Sequence, residues 1–158
     1  MAQEIERKYL LANDSWRDSH PVGVAYQQGY LMSTAEKTVR IRIAGDRGYV
    51  TIKSGSQAGE IGRAEYEYEI PLCDAQEMFD TLCEPGKIEK TRYNIPYENH
   101  VWEVDVFQGA NQGLITAEIE LTAEDESFSV PSWIGQEVTH DKRYQNGRLA
   151  QEPYTTWK

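Results

Sequence analysis

Charged side chains recur at every second position along much of this chain, with apolar residues between them. Glu4, Glu6 and Lys8 share one parity, with Ile5 and Tyr9 opposite. Arg40 and Arg42 alternate with Val39, Ile41 and Ile43, and Lys53 follows Tyr49 and Thr51 with Val50 and Ile52 behind. Glu65, Glu67 and Glu69 alternate with Tyr66, Tyr68 and Ile70. Lys90 and Arg92 form another such pair, as do Glu103 and Asp105, and Glu118 and Glu120. Neighbours of one parity on a strand lie ~6.6 Å apart, where like charges repel by roughly 2.5 kcal/mol at an effective dielectric of about 20. Water and salt soften that on an exposed face. Inside a closed barrel it must be offset by opposite charges, a metal or a ligand. Oxygen-only donors (Glu4, Glu6, Glu118, Glu120) suit a hard dication such as Mg²⁺ or Mn²⁺. Lys8, Arg40, Arg42, Lys53, Lys90 and Arg92 suit phosphate oxygens. Acids for a metal beside bases for phosphates describe a metal-dependent polyphosphate site.

Strands must position these groups. Alternation and β-branched or aromatic enrichment predict strands at 3–11, 24–32, 37–44, 47–54, 62–71, 87–95, 100–107 and 114–122. Turn chemistry separates them at Gly45–Gly48, Gly55–Gly59, Pro96–Asn99 and Gly109–Gly113. One helix is predicted at 75–84, capped by Asp74 with Glu77 in capping-box spacing and an apolar face of Met78, Phe79 and Leu82. Residues 13–19 and 123–129 suit short helical turns, and the segment from 136 onward shows no clear pattern. Eight strands with few helices point to a mainly β domain, an antiparallel barrel or sandwich spanning 1–158.

The 158 residues carry 16 Lys and Arg against 26 Asp and Glu, a net charge of −10. That excludes nucleic acid or an anionic membrane held by bulk charge. Ten Tyr and four Trp argue against a disordered acidic segment. No apolar run has the ~18 residues of a membrane span, and the N-terminus does not read as a secretory signal. Cys73 and Cys83 form no Cys-x-x-Cys and suit a reducing cytoplasm. His20, His100 and His140 are too dispersed for a zinc cluster. The glycines after Lys53 lack a following Lys-Ser/Thr, so they are no Walker A loop.

Glu4-Ile-Glu6-Arg-Lys8 resembles the Glu-x-Glu-x-Lys signature of the CYTH superfamily, the triphosphate tunnel metalloenzymes. The resemblance continues in order through Gln28-Gly-Tyr30, Arg40-Ile-Arg42, Thr51-Ile-Lys53, Arg63-x-Glu65-Tyr-Glu67 and Glu89-Lys90-Thr-Arg92. It then runs through Trp102-Glu-Val-Asp105, Ala-Glu118-Ile-Glu120-Leu and Asp-Lys142-Arg-Tyr144. It implies a closed eight-stranded antiparallel tunnel, open at both ends, with a few short flanking helices. By the same resemblance Glu4, Glu6 and Glu120 would ligate Mg²⁺ or Mn²⁺. Glu118 and Asp105 would hold metal-bound water or a second metal. Lys8, Arg40, Arg42, Lys53, Lys90 and Arg92 would grip the substrate, and Glu65 and Glu67 would orient those cations. Tyr30 would form a catalytic dyad with Lys8, or else pack in the core. Arg63, Glu69, Glu103 and Lys142 belong to the tunnel mouth or the surface.

The implied reaction is hydrolysis of inorganic triphosphate to pyrophosphate and phosphate, by a cytoplasmic monomer or homodimer. Alternatives on the same fold are thiamine-triphosphatase, nucleoside triphosphatase or adenylate cyclase activity. A non-catalytic polyphosphate-binding module and a lipocalin-like carrier of an apolar ligand are further alternatives. Six basic and seven acidic tunnel residues would give the interior a net charge of −1, leaving −9 outside. The acidic balance therefore excludes a large polyanion and not a small one.

Overall fold

A computed structural model describes residues 3–55 and 62–157. Most of the turn expected at Gly55–Gly59 lies outside these residues. Among them the chain forms nine strands and two α-helices: β1 (Gln3–Leu11), β2 (Gly23–Ser33), β3 (Lys37–Ala44), β4 (Arg47–Ser54), β5 (Gly62–Ile70), α1 (Leu72–Thr81), β6 (Ile88–Tyr97), β7 (His100–Gln108), β8 (Ile115–Glu120), β9 (Ile134–Glu137) and α2 (Asn146–Gln151). Eight strands close antiparallel in the order β1, β5, β4, β3, β2, β6, β7, β8 and back to β1. The expected barrel is therefore present, with β9 as an extra strand.

Strand β1 explains how both can fit. One edge pairs with β8 from Glu6 to Leu10. The other is shared: Gln3–Ile5 pair with β5, and Tyr9 and Leu11 pair with β9. The extra strand thus fills the half-edge that β5 leaves free. Between β3 and β4 the chain reverses in two residues, and Gly45 takes the positive φ (+61°) such a hairpin needs at its first central position.

Three apolar clusters hold the barrel. On the outside of β1, β6, β7 and β8, Ile5, Tyr9, Ile95, Trp102, Val104, Ala117 and Ile119 are covered by Trp16 and Trp133. Trp102 is fully buried and meets Tyr9, Phe128 and Trp133 edge-on at centroid distances of 5.5, 6.0 and 6.0 Å. Such ring pairs add ~0.5–1.5 kcal/mol each beyond burial. On the outside of β3, Ile41 and Ile43 pack against Ala75 and Phe79 of α1.

The third cluster is inside. Ile88 and Phe107 share the inward parity of the charged residues on β6 and β7, Tyr30 shares that of Gln28 on β2, and with Leu114, just before β8, they pack with Leu149 and Ala150 of α2. Leu10, Tyr144, Tyr154 and Trp157 complete it. One end of the barrel is therefore stoppered by the C-terminal segment, which corrects the expectation of a passage open at both ends. The Pro131–Ile134 stretch takes no part in the stopper, because Trp133 packs on the outer wall.

Local differences have physical reasons. Helix α1 starts at Leu72, behind Pro71, whose fixed φ of −55° leads into the first turn. Asp74 consequently sits inside the first turn and caps nothing, and Leu82 lies beyond the helix and is exposed. The turn expected at 13–19 is a 3₁₀ segment, Ser15–Ser19, that inserts Trp16. No helix forms at 123–129, because the Glu126 carboxylate takes the Thr122 N–H and hydroxyl and folds the segment into turns.

Candidate active site

Parity sends one face of every barrel strand inward, and register sets who meets whom. Lys8 lies opposite Glu118 and Glu6 opposite Glu120 across β1 and β8. Arg40 faces Tyr30 and Thr51, Arg42 faces Gln28, and Lys53 faces Glu65. Arg92 faces Asp105, and Glu103 faces Glu118. All of these but Gln28, Thr51 and Asp105 line a cavity of about 770 Å³, within the usual ~300–1,000 Å³ of small-molecule sites. A lipocalin-like interior is excluded, because the inward faces are charged.

The charges are sorted within the cavity. Toward β1 and β5, Lys53 Nζ donates to Glu4 at 2.8 Å and lies 3.2 Å from Glu65, while Arg63 Nε reaches Glu4 at 3.3 Å. Lys8 Nζ sits 3.4 Å from Glu118 and donates to the Tyr144 carbonyl at 2.8 Å. The structure thus gives Lys8 these partners, and Tyr30 packs in the apolar stopper cluster. Toward β3 and β4, Arg40 donates to Thr51 at 3.2 Å and lies 3.5 Å from Glu67, which Thr51 also holds at 2.9 Å.

Asp105 and Lys90 depart from their expected roles. Asp105 is fully buried, accepting from Arg92 Nε and Nη2 at 2.8 and 2.9 Å and from Lys90 Nζ at 2.7 Å. Neither Asp105 nor Lys90 lines the cavity. Both Asp105 oxygens are spent on cations, so it positions Arg92, which also donates to Glu103 at 2.9 Å. Burial lowers the Lys90 ammonium to about 7 against the pull of Asp105.

Like charges crowd at two places. Burial raises the Glu6 carboxyl well above its ordinary value, and Glu118 and Glu4 push it further. Burial and a hydrogen bond with Glu4 bring Glu65 up to about 7. Burial, Glu4 and Glu118 also raise Glu120. For Glu118 burial acts upward, but Lys8, Arg92 and Lys90 outweigh it and hold the carboxyl well below its usual range. Among the described residues no three acidic, imidazole or thiol groups converge as a metal centre. Glu4 with Glu65, and Glu6 with Glu118, lie instead as hydrogen-bonded carboxyl pairs. These oxygen donors suit a hard dication in type. At the other place, burial, Arg40 and Arg92 together lower Arg42 to about 10.

Sequence reasoning missed Tyr26, His140 and Arg148, and left Arg63 and Lys142 open between tunnel mouth and surface; all five line the cavity. Tyr26 lies under both Arg42 and Arg92, each 5.0 Å from its ring centroid. Its parity with Gln28 and Tyr30 was the available signal. Arg63 reaches into the site through Glu4. His140, Lys142 and Arg148 reach the cavity from the C-terminal segment, whose lack of periodicity concealed His140 and Arg148.

A family model described as the CYTH domain matches residues 2–154. An inorganic triphosphatase of Acetivibrio thermocellus is 48% identical over 158 residues, all of this chain and 99% of that one. One from Nitrosomonas europaea is 38% identical over 152 residues, 93% of this chain and 96% of that protein. A crystal structure of an inorganic triphosphatase superposes with a TM-score of 0.66 at 36% identity, covering 95% of each chain.

Proposed function

Because the chain belongs to the CYTH family, a metal-dependent one, we propose that it hydrolyses inorganic triphosphate to pyrophosphate and orthophosphate. The observation that carries this is the sorted cavity: carboxyls crowded on β1, β5 and β8 beside guanidinium groups gathered on β3 and β6. A ligand that relieves both must bring a cation and a polyanion together. The names of the relatives at 48% and 38% identity agree with it.

Arg40, Arg42, Lys53 and Arg92 bind the phosphate oxygens, with Arg42 and Arg92 backed by the Tyr26 ring. Lys8, held by Glu118, aims its ammonium at the terminal phosphoryl group. Glu4, Glu6, Glu118 and Glu120 would hold the dication, Mg²⁺ or Mn²⁺, which when bound would withdraw charge from the phosphoryl oxygens. Ionised Glu118 also orients the water whose oxygen forms the new bond to phosphorus as the anhydride bond breaks. Asp105, Glu65 and Glu67 set the positions of the cations. Catalysis is then positioning and electrostatic stabilisation, as suits phosphoryl transfer.

A cytoplasmic location fits the free thiols of Cys73 and Cys83. No helix among the described residues is long and apolar enough to cross a membrane.

The test is phosphate release from tripolyphosphate, ATP and thiamine triphosphate with Mg²⁺ or Mn²⁺, and with EDTA. Tripolyphosphate should turn over fastest, and only with metal. Glu4→Gln, Glu6→Gln and Glu120→Gln should each lose at least a hundredfold in kcat. Retained metal-dependent turnover in all three would sink the assignment.

A further inference from the structure

Among the described residues, every other cation at the centre of the cavity has a carboxylate at hand. Lys8 has Glu118, Arg40 has Glu67, Lys53 has Glu4 and Glu65, and Arg63 has Glu4. Lys90 has Asp105, and Arg92 has Asp105 and Glu103. Arg42 is the exception. Its Nε donates at 2.6 Å to Oε1 of Gln28, a neutral amide.

Gln28 is completely buried, directly opposite Arg42 in the β2–β3 register. A guanidinium only donates hydrogen bonds, so the amide must turn its oxygen toward Arg42 and its nitrogen away. That nitrogen, Nε2, finds no partner among the described residues. The cost of an unmet buried donor is borne at the position where a glutamate of the same shape would satisfy Arg42 fully. Glutamate would also cancel the Arg42 charge. Asp105 pairs in this way with Lys90, which does not line the cavity.

We propose that Gln28 is a positioning residue that fixes the Arg42 guanidinium without neutralising it, so that Arg42, alone among the described cations at the centre of the cavity, keeps its charge free of a carboxylate for a substrate phosphate. This rests on the triphosphatase reading. Arg42 lines the cavity and Gln28 does not, so Gln28 acts through Arg42.

The experiment compares Gln28→Glu and Gln28→Met with the unaltered protein, measuring tripolyphosphate binding by calorimetry with EDTA present and steady-state kinetics with Mg²⁺. Gln28→Glu should weaken binding at least tenfold and raise KM by a similar factor, with kcat falling less than threefold. Gln28→Met, neutral but unable to accept from Arg42 Nε, should weaken binding by about threefold, clearly less than Gln28→Glu. A Gln28→Glu protein that folds and binds tripolyphosphate as tightly as the unaltered one overturns the proposal. So does a Gln28→Met protein that loses as much as Gln28→Glu. If Gln28→Glu fails to fold, the Gln28→Met result together with a tenfold loss in Arg42→Gln decides the matter. Binding without turnover in the unaltered protein would defeat the triphosphatase reading and leave the Gln28 comparison intact.

Discussion

Asp105 shows how one side chain changes meaning once its partners are known. Its alternation with Trp102 and Val104 puts it on an inward face, and the sequence alone then leaves it open to metal or water. Geometry gives both its oxygens to Lys90 and Arg92. Asp105→Asn keeps the volume but strands two buried cations, so it should destabilise the fold by about 3–5 kcal/mol, read from urea unfolding. The carboxyl pairs make a second prediction at this scale. Glu6 and Glu65 are held up in pKa, and Glu65, raised to about 7, carries a proton for part of the time near neutrality. A dication must displace it. Binding of Mg²⁺ or Mn²⁺ should release protons, seen as a binding heat that changes with the buffer's ionisation enthalpy. A heat independent of buffer would contradict this. The inward set was legible at this scale because a strand's period of two fixes facing. Partner choice was not legible. Whether Arg92 or a metal takes Asp105 depends on the register between β6 and β7, which no local pattern encodes.

The elements divide by how local their causes are. The eight barrel strands could be read from alternation and turn residues within each segment. Strand β9 could not, because its four residues gain their pairing only from the half-edge of β1 that β5 leaves free. Helix α2 is similarly short and owes its place to the inward cluster it covers. The segment 122–133 depends on one carboxylate, Glu126, which hydrogen-bonds with Thr122 and His100. Those bonds hold its pKa from 4.5 down to about 2. A carboxyl depressed in the folded state adds stability above its unfolded value and loses it as pH falls. The contribution should therefore be complete above about pH 5 and vanish toward about pH 2. Glu126→Ala should lower Tm at pH 7 and leave it nearly unchanged near pH 2. An equal loss at both pH values would refute the capping role. Kinetic constants should not move, since this segment packs on the outer wall.

At the scale of the whole molecule, the net charge of −10 coexists with a cavity that gathers cations at its centre. The crowding of like charges on both sides of the cavity is relieved only by ligand, so ligand should stabilise the fold by mass action. Tripolyphosphate with Mg²⁺, at a hundred times its Kd, should add about 2.7 kcal/mol and raise Tm by several degrees. Either component alone should give less. The stopper has a consequence for polymers. A pipe open at both ends would let a long phosphate chain thread through and be cut anywhere along its length. With Leu149, Ile88 and Phe107 across one end, a chain enters head first and halts. Its terminal unit alone would then come to rest in the same place each time, so that any cut would be counted from the tip, as on a ruler with a fixed zero.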